Sequence, residues 1–240
     1  GPYTPGFLSL PYGDLQAIEQ AISANTAAIL VEPIQGEAGV VVPPPGYLKK
    51  LSQICKKNNI LLLADEIQTG LGRTGKLFAC EHEDVRPDVM IIGKALSGGF
   101  YPVSAILADK PLMDLFGPGE HGSTFGGNPL GAAIARAALS VIVEENLVER
   151  ASMMGEYLMD QLSEIPSRHI KEVRGKGLLI GVELKPEAGG ARRFCEALLQ
   201  EGILAKETHQ NVIRFAPPLI IDKATLDWAI PRIRNVLTRP

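Results

Sequence analysis

Apolar positions along the chain fall into two patterns. Up to about Leu107, short uninterrupted apolar runs alternate with stretches of helical spacing. Ala27–Val31, Ile60–Ala64 and Val89–Ile92 are too short for helices and rich in β-branched or aliphatic residues, so they read as buried strands. Between them, Asp14 is placed to cap a helix carrying Leu15, Ile18, Ala21 and Ile22 on one face. The stiff turn Pro43-Pro44-Pro45-Gly46 leads into another, with Leu48, Leu51, Ile54 and Cys55 inward. Ala105–Leu107 reads as one more strand. Strands alternating with helices imply a parallel sheet with right-handed crossovers. Asn128 as N-cap and Pro129 at the first helical position open a helix over Gly131–Leu139, whose alanine-rich face suits a core or a subunit interface. A second long helix is expected over Val148–Ile165.

After Pro166 the pattern changes. Ile170–Val173 and Leu178–Leu184 alternate as half-buried strands do. Ala191–Gln200 is helical with Gly202 just past its end, and Val212–Ala216 is a strand. Asp222 caps a last helix containing Leu226, Trp228 and Ile233. The fold class is therefore α/β, a mostly parallel sheet followed by a small C-terminal α+β domain. The boundary is expected near Asn146, giving domains of 1–146 and 147–240.

Composition narrows the function. With 45% hydrophobic and 21% charged residues in 240, the chain is ordinary globular protein. A net charge of −3 without a basic block gives no electrostatic support for nucleic-acid or anionic-membrane binding. No apolar run approaches the roughly 18 residues of a membrane helix. Three widely spaced cysteines, Cys55, Cys80 and Cys195, suggest reduced thiols in a reducing compartment, cytoplasmic or, in a eukaryote, the mitochondrial matrix. No signal or transit pattern is visible, but the chain opens at Gly1-Pro2-Tyr3 rather than at methionine, so that observation carries little weight.

Three strand ends within one stretch carry polar residues: Glu32, Asp65 and Lys94. Open α/β sheets bind ligands where parallel strands end. Lys94 stands in Ile91-Ile92-Gly93-Lys94-Ala95-Leu96-Ser97-Gly98-Gly99, small and apolar, where sparse hydration would lower its pKa and make the amine nucleophilic. Burying a lone carboxylate costs several kcal/mol unless it is paired, so Asp65 needs a cationic or proton-bearing partner. Pyridoxal 5′-phosphate matches this set. Lys94 would take its aldehyde, Asp65 would hold a proton on the ring nitrogen, and Gln68, just past Asp65, would reach the ring hydroxyl. Ser123-Thr124, followed by Gly126-Gly127 and a helix start, would receive the phosphate.

Four segments carry a family resemblance: Val31-Glu32-Pro33-Ile34-Gln35-Gly36-Glu37, Ala64-Asp65-Glu66-Ile67-Gln68-Thr69-Gly70, Gly93–Gly99 and His121-Gly122-Ser123-Thr124-Phe125-Gly126-Gly127-Asn128-Pro129-Leu130. In this order they resemble the class-III aminotransferases, fold-type-I pyridoxal phosphate enzymes. Gly36–Val40, Tyr101-Pro102-Val103-Ser104 and Val212–Pro218 resemble the subgroup acting on ornithine. The resemblance implies transfer of the δ-amino group of L-ornithine to 2-oxoglutarate, giving glutamate semialdehyde and glutamate, with Lys94 as general base and acid. It implies that Glu37 pairs with Arg214 during the ornithine stage and releases it to grip the 2-oxoglutarate α-carboxylate. It also implies a homodimer with shared active sites, in which Ser123 and Thr124 reach the neighbouring subunit's phosphate. Finally, it implies that the 240 residues correspond to the C-terminal part of a longer chain, whose earlier segment supplies further cofactor and substrate contacts.

Other patterns read as structure. Gly70-Leu71-Gly72-Arg73-Thr74-Gly75 matches G-x-G-x-x-G but opens no helix and lacks the acidic residue further on, so it reads as a loop. Glu81-His82-Glu83-Asp84 lacks metal-ligand spacing and reads as a solvated turn. His121 is a loop or interface residue, and His169 and His209 have no visible partners. Glu32 either braces its own loop or touches cofactor. Rival functions are acetylornithine or 4-aminobutyrate transamination, and a catalytically incomplete fragment serving only in assembly.

Overall fold

The structure, a computed structural model, describes residues 4–239. Asp14 opens α1 (Leu15–Ala21) by accepting from the Ala17 amide at 2.9 Å. The apolar runs become β1 (Ala28–Val31), β2 (Leu61–Asp65) and β3 (Val89–Ile92), which pair in parallel. β4 (Ala105–Ala108) adds to the far edge antiparallel to β3, giving the order β1-β2-β3-β4. Between β1 and β2 runs α2 (Tyr47–Asn58), which packs Leu48, Leu51 and Cys55 onto Val31, Leu62 and Ala64. The β2–β3 connection holds only a short 3₁₀ helix, Ala79–Glu83. Its Glu83 accepts from the Gly46 and Lys49 amides at 2.9 Å each, capping α2 from outside the helix. The Glu81–Asp84 run is thus an anchor rather than a purely solvated turn, because α2 otherwise begins on a glycine that brings no capping side chain.

A short α3 (Lys110–Met113) precedes α4 (Pro129–Glu144), which Asn128 caps by accepting from Gly131 at 2.8 Å. α4 continues well past the expected Leu139, since nothing in Ser140–Glu144 breaks a helix. α5 (Leu147–Ser163) follows directly.

The remaining strands form a second sheet. β5 (Ile170–Lys176), β6 (Leu179–Leu184), β7 (Lys206–Thr208) and β8 (Val212–Phe215) lie in the order β5-β6-β8-β7, every pair antiparallel. β7 has no counterpart in the sequence reading, because Lys206-Glu207-Thr208 shows no apolar alternation. α6 (Arg192–Gln200) and α7 (Lys223–Thr238) cover this sheet together with α5, and Leu162, Leu198, Ile213 and Leu237 are fully buried between them. Asp222 caps α7 by accepting from Thr225 at 2.8 Å.

The two sheets meet through bare backbone. A Cβ on Gly155 of α5 would lie 2.2 Å from the carbonyl of Gly177, in the β5–β6 turn. One on Gly177 would lie 2.4 Å from the carbonyl carbon of Thr74. Helix, hairpin and the loop after β2 therefore touch where only hydrogen fits.

Candidate active site

The site grows from the carboxyl ends of β2 and β3. Asp65 closes β2 in register with Ile91, and Lys94 follows Gly93 just beyond β3. Asp65 is half-buried, and its Oδ1 accepts from the Ile67 amide at 3.0 Å. Its Oδ2 meets no donor among the described residues. Lys94 has a left-handed backbone, φ +41°, which costs a side-chain-bearing residue free energy. Its amine makes no ion pair among the described residues.

The expected poor hydration of Lys94 is not found: the residue is exposed. The Ala95–Gly99 stretch folds into a 3₁₀ turn over Lys94–Ser97 and leads away instead of covering the amine. Lys94 lines an open cavity of about 410 Å³ with Ser97, Pro102, Val103 and Ser104. Asp65 is not among those walls.

A second group of side chains joins the sheets. Arg214 on β8 pairs with Glu37, Nη1 to Oε1, at 2.5 Å. Gln68 bridges both: its Nε2 donates to Glu37 Oε1 at 3.2 Å, and its Oε1 accepts from Arg214 Nη1 at 3.2 Å. Arg214 is mostly covered while Glu37 is 61% exposed, so the acid is the member free to leave. The hydrogen bond and charge of Arg214, helped by Gln68 and Lys206, hold the Glu37 carboxyl below its ordinary range.

The loop bearing Glu37 is strapped to the second sheet. Arg174 of β5 donates to the Val40 and Gly39 carbonyls at 2.9 and 2.7 Å and is itself paired with Glu183 and Glu172. The Thr208 hydroxyl donates to the Glu37 carbonyl. Val40, wholly buried at φ +50°, carries the strain of the bend. Glu32 accepts from the Gly36 amide at 3.1 Å and so braces its own loop. Arg73, inside the glycine-rich loop, donates to the carbonyls of Leu178 at 3.0 Å and Pro217 at 2.6 Å. Burial, and then the charge of Arg214, push its guanidinium down to about 10. The G-x-G-x-x-G match is indeed a loop, and its work is to tie the strand-end turn to the second sheet.

The structure therefore brings Glu37, Gln68 and Arg214 together and sets Asp65 and Lys94 on adjacent strand ends. It does not bring Ser123 and Thr124 to them. Both lie exposed in the loop before α4, where Ser123 Oγ accepts from the Gly126 amide at 3.1 Å. Sequence reasoning missed Arg73 and Arg174, which spacing alone does not distinguish from surface arginines. No cluster of three or more His, Cys, Asp or Glu able to hold a metal occurs among the described residues, and no helix there is long and apolar enough to cross a membrane.

The donor set fits pyridoxal phosphate: an unpaired amine, a carboxylate with one free oxygen, and an amide with a spare N–H, all at parallel strand ends. The chain belongs to the class-III aminotransferases, whose family profile matches residues 2–237. That class uses pyridoxal phosphate. Among relatives, the chain is 57% identical over 237 residues to an ornithine aminotransferase of Brevibacillus brevis, covering 99% of this chain and 59% of that protein. A solved ornithine aminotransferase of Toxoplasma gondii, with pyridoxal phosphate at partial occupancy, superposes at TM-score 0.96 and 46% identity over 99% of this chain and 57% of that one. An acetylornithine aminotransferase of Elizabethkingia anophelis superposes at 0.93 and 51% identity over 98% and 63%. The chain spans about three-fifths of the length of the curated relatives it matches.

Proposed function

We propose that the protein transfers the δ-amino group of L-ornithine to 2-oxoglutarate with pyridoxal 5′-phosphate, giving glutamate semialdehyde and glutamate. The observation that carries this reading is the Glu37–Arg214 pair, held by Gln68 beside the strand ends of Asp65 and Lys94. When bound, the cofactor supplies an aldehyde that captures the amine and a ring that takes up the electrons of the broken C–H bond. Lys94 would hold that aldehyde, and its amine would serve as general base and acid in the exchange, a role commonly worth ~10²–10⁴ in rate. Asp65 would hold a proton on the ring nitrogen, and the spare N–H of Gln68 would meet the ring oxygen. Ser123 and Thr124 hold the phosphate of the neighbouring subunit, so the working form is a homodimer with shared sites. Their exposed, outlying position supports this reading.

Substrate alternation follows from the pair. Closed, it occupies the guanidinium, so an α-carboxylate finds no fork and the flexible amine end enters. Open, Arg214 grips the α-carboxylate of 2-oxoglutarate through two parallel N–H donors. The proposal keeps the division into a cofactor-binding part, 1–146, and a smaller part, 147–240. It also keeps the cytoplasm, or the mitochondrial matrix in a eukaryote, as the compartment.

The 51% identity to an acetylornithine enzyme favours one second reading, the same chemistry on the acetylated amine. Half-reactions followed by cofactor absorbance separate the two. Ornithine should exceed acetylornithine and 4-aminobutyrate by at least ~10² in rate over KM; a preference for acetylornithine installs the second reading. Lys94→Ala should abolish the internal absorbance band, and retention of that band would end the transaminase reading. Glu37→Ala should weaken selection for the δ-amine over α-amines, and unchanged selectivity would remove the pair's assigned role.

A further inference from the structure

We propose that Gln68 is the latch of the Glu37–Arg214 pair and the link through which occupancy of the cofactor site reaches it. This rests on the function proposed above.

The geometry is a closed triangle. Arg214 Nη1 meets Glu37 Oε1 at 2.5 Å and Gln68 Oε1 at 3.2 Å, and Gln68 Nε2 returns to Glu37 Oε1 at 3.2 Å. A primary amide offers donor and acceptor together, so it satisfies anion and cation at once without adding charge. An ion pair whose acid is 61% exposed contributes little alone and fixes no orientation. The amide supplies the missing constraint, because it ties both ends to a third, immobile point.

That point is immobile for a visible reason. Gln68 belongs to the turn after β2, in which the Gly70 amide donates to the Glu66 carbonyl at 2.9 Å. Glu66 is 1% exposed, accepts from the Cys80 amide at 2.8 Å and takes the Thr69 hydroxyl. The backbone of Gln68 is therefore bolted to the first sheet, and only its side chain can swing. Room for the amide comes from Gly36, where a Cβ would lie 2.4 Å from Gln68 Oε1.

Gln68 Nε2 carries a second hydrogen that Glu37 does not use. In the proposed function it points to the cofactor ring oxygen. One amide orientation then serves both neighbours. Coupling between binding events is reciprocal, so a filled cofactor site tightens the pair and a closed pair tightens the cofactor. Gln68 is thus a positioning residue for the guanidinium, beyond its contact with the ring.

The test is the rate at which phenylglyoxal modifies Arg214 in the intact protein, read by peptide mass spectrometry with and without pyridoxal phosphate. Glu37→Ala sets the fully open rate. Gln68→Met, nearly isosteric and without either hydrogen bond, should raise the rate roughly fivefold and abolish the slowing that cofactor causes in the parent protein. With substrates, Gln68→Met should lower the KM for 2-oxoglutarate while loss of the ring contact lowers kcat, a pair of shifts that loss of folding would not produce. A parent rate in Gln68→Met alongside a fast Glu37→Ala overturns the latch while leaving the proposed function standing. Cofactor protection that persists in Gln68→Met overturns the link. A Glu37→Ala protein with parent rate and parent selectivity overturns the pair's role and the latch with it.

Discussion

The two sheets differ in how they are finished. In the second, β6 is covered on both faces: Ile180, Val182 and Leu184, each at most 1% exposed, lie beneath α5, α6 and α7, and Leu179, 2% exposed, packs with Ile34 and Val40. In the first, Leu30 of β1 is 54% exposed, and Ile106 and Leu107 of β4 are 46% exposed each. α4, which the sequence offers as a packing helix, buries only Gly131 and Ile142 and leaves Leu130 and Val143 open. Bare edge strands and an apolar helix face are features that proteins cover with further chain or another subunit. The difference teaches where each property resides. The closed sheet supplies a rigid platform for Arg214, and the open sheet carries Lys94 and Asp65 at its exposed strand ends.

That contrast can be broken most violently at the seam. Gly155→Ala would drive a methyl group into the Gly177 carbonyl with no side chain to yield, and we expect a loss of ~4 kcal/mol or failure to fold, measured by denaturant midpoint. Within the closed core, Ile213→Ala should cost ~2–5 kcal/mol in the same measurement. A smaller effect tests the bridge between sheets. Arg214 holds the folded-state pKa of Glu37 below its unfolded value, so the pair's contribution is complete above the unfolded carboxylate range and disappears as pH falls through the folded value. Glu37→Gln should therefore lower Tm by about 1–2 °C at pH 7, and the gap should close in acid; a gap constant with pH would contradict the assignment. At the open sheet, Ile106→Ala should stay within ~0.5 kcal/mol of the parent. A loss comparable to that of Ile213→Ala would mean that the open face is covered in solution.

Much of the closed-versus-open architecture was legible in the chain. Short apolar runs bounded by turn residues give β1, β2 and β3 within a residue, and Asp14, Asn128 and Asp222 each cap the helix their position announces. β7 was illegible because its three residues are held by pairing with β8 and not by their own pattern. The antiparallel direction of β4 is equally silent in Ala105–Ala108. In the proposed site, Asp65 and Lys94 stand out in the sequence because polar residues at apolar strand ends break the pattern. The hydration of Lys94 does not, since neighbouring small residues need not cover a side chain. Gln68 was readable as a donor, but its double attachment to residues at 37 and 214 exists only after the sheets meet.

The left-handed turn at Lys94 has a further consequence. Glycine would suit that backbone better than any residue with a side chain, so the position pits comfort against reactivity. Under the proposed function, a population selected for durability alone would drift toward the residue that cannot perform the chemistry, and the amine persists only as long as that role is rewarded.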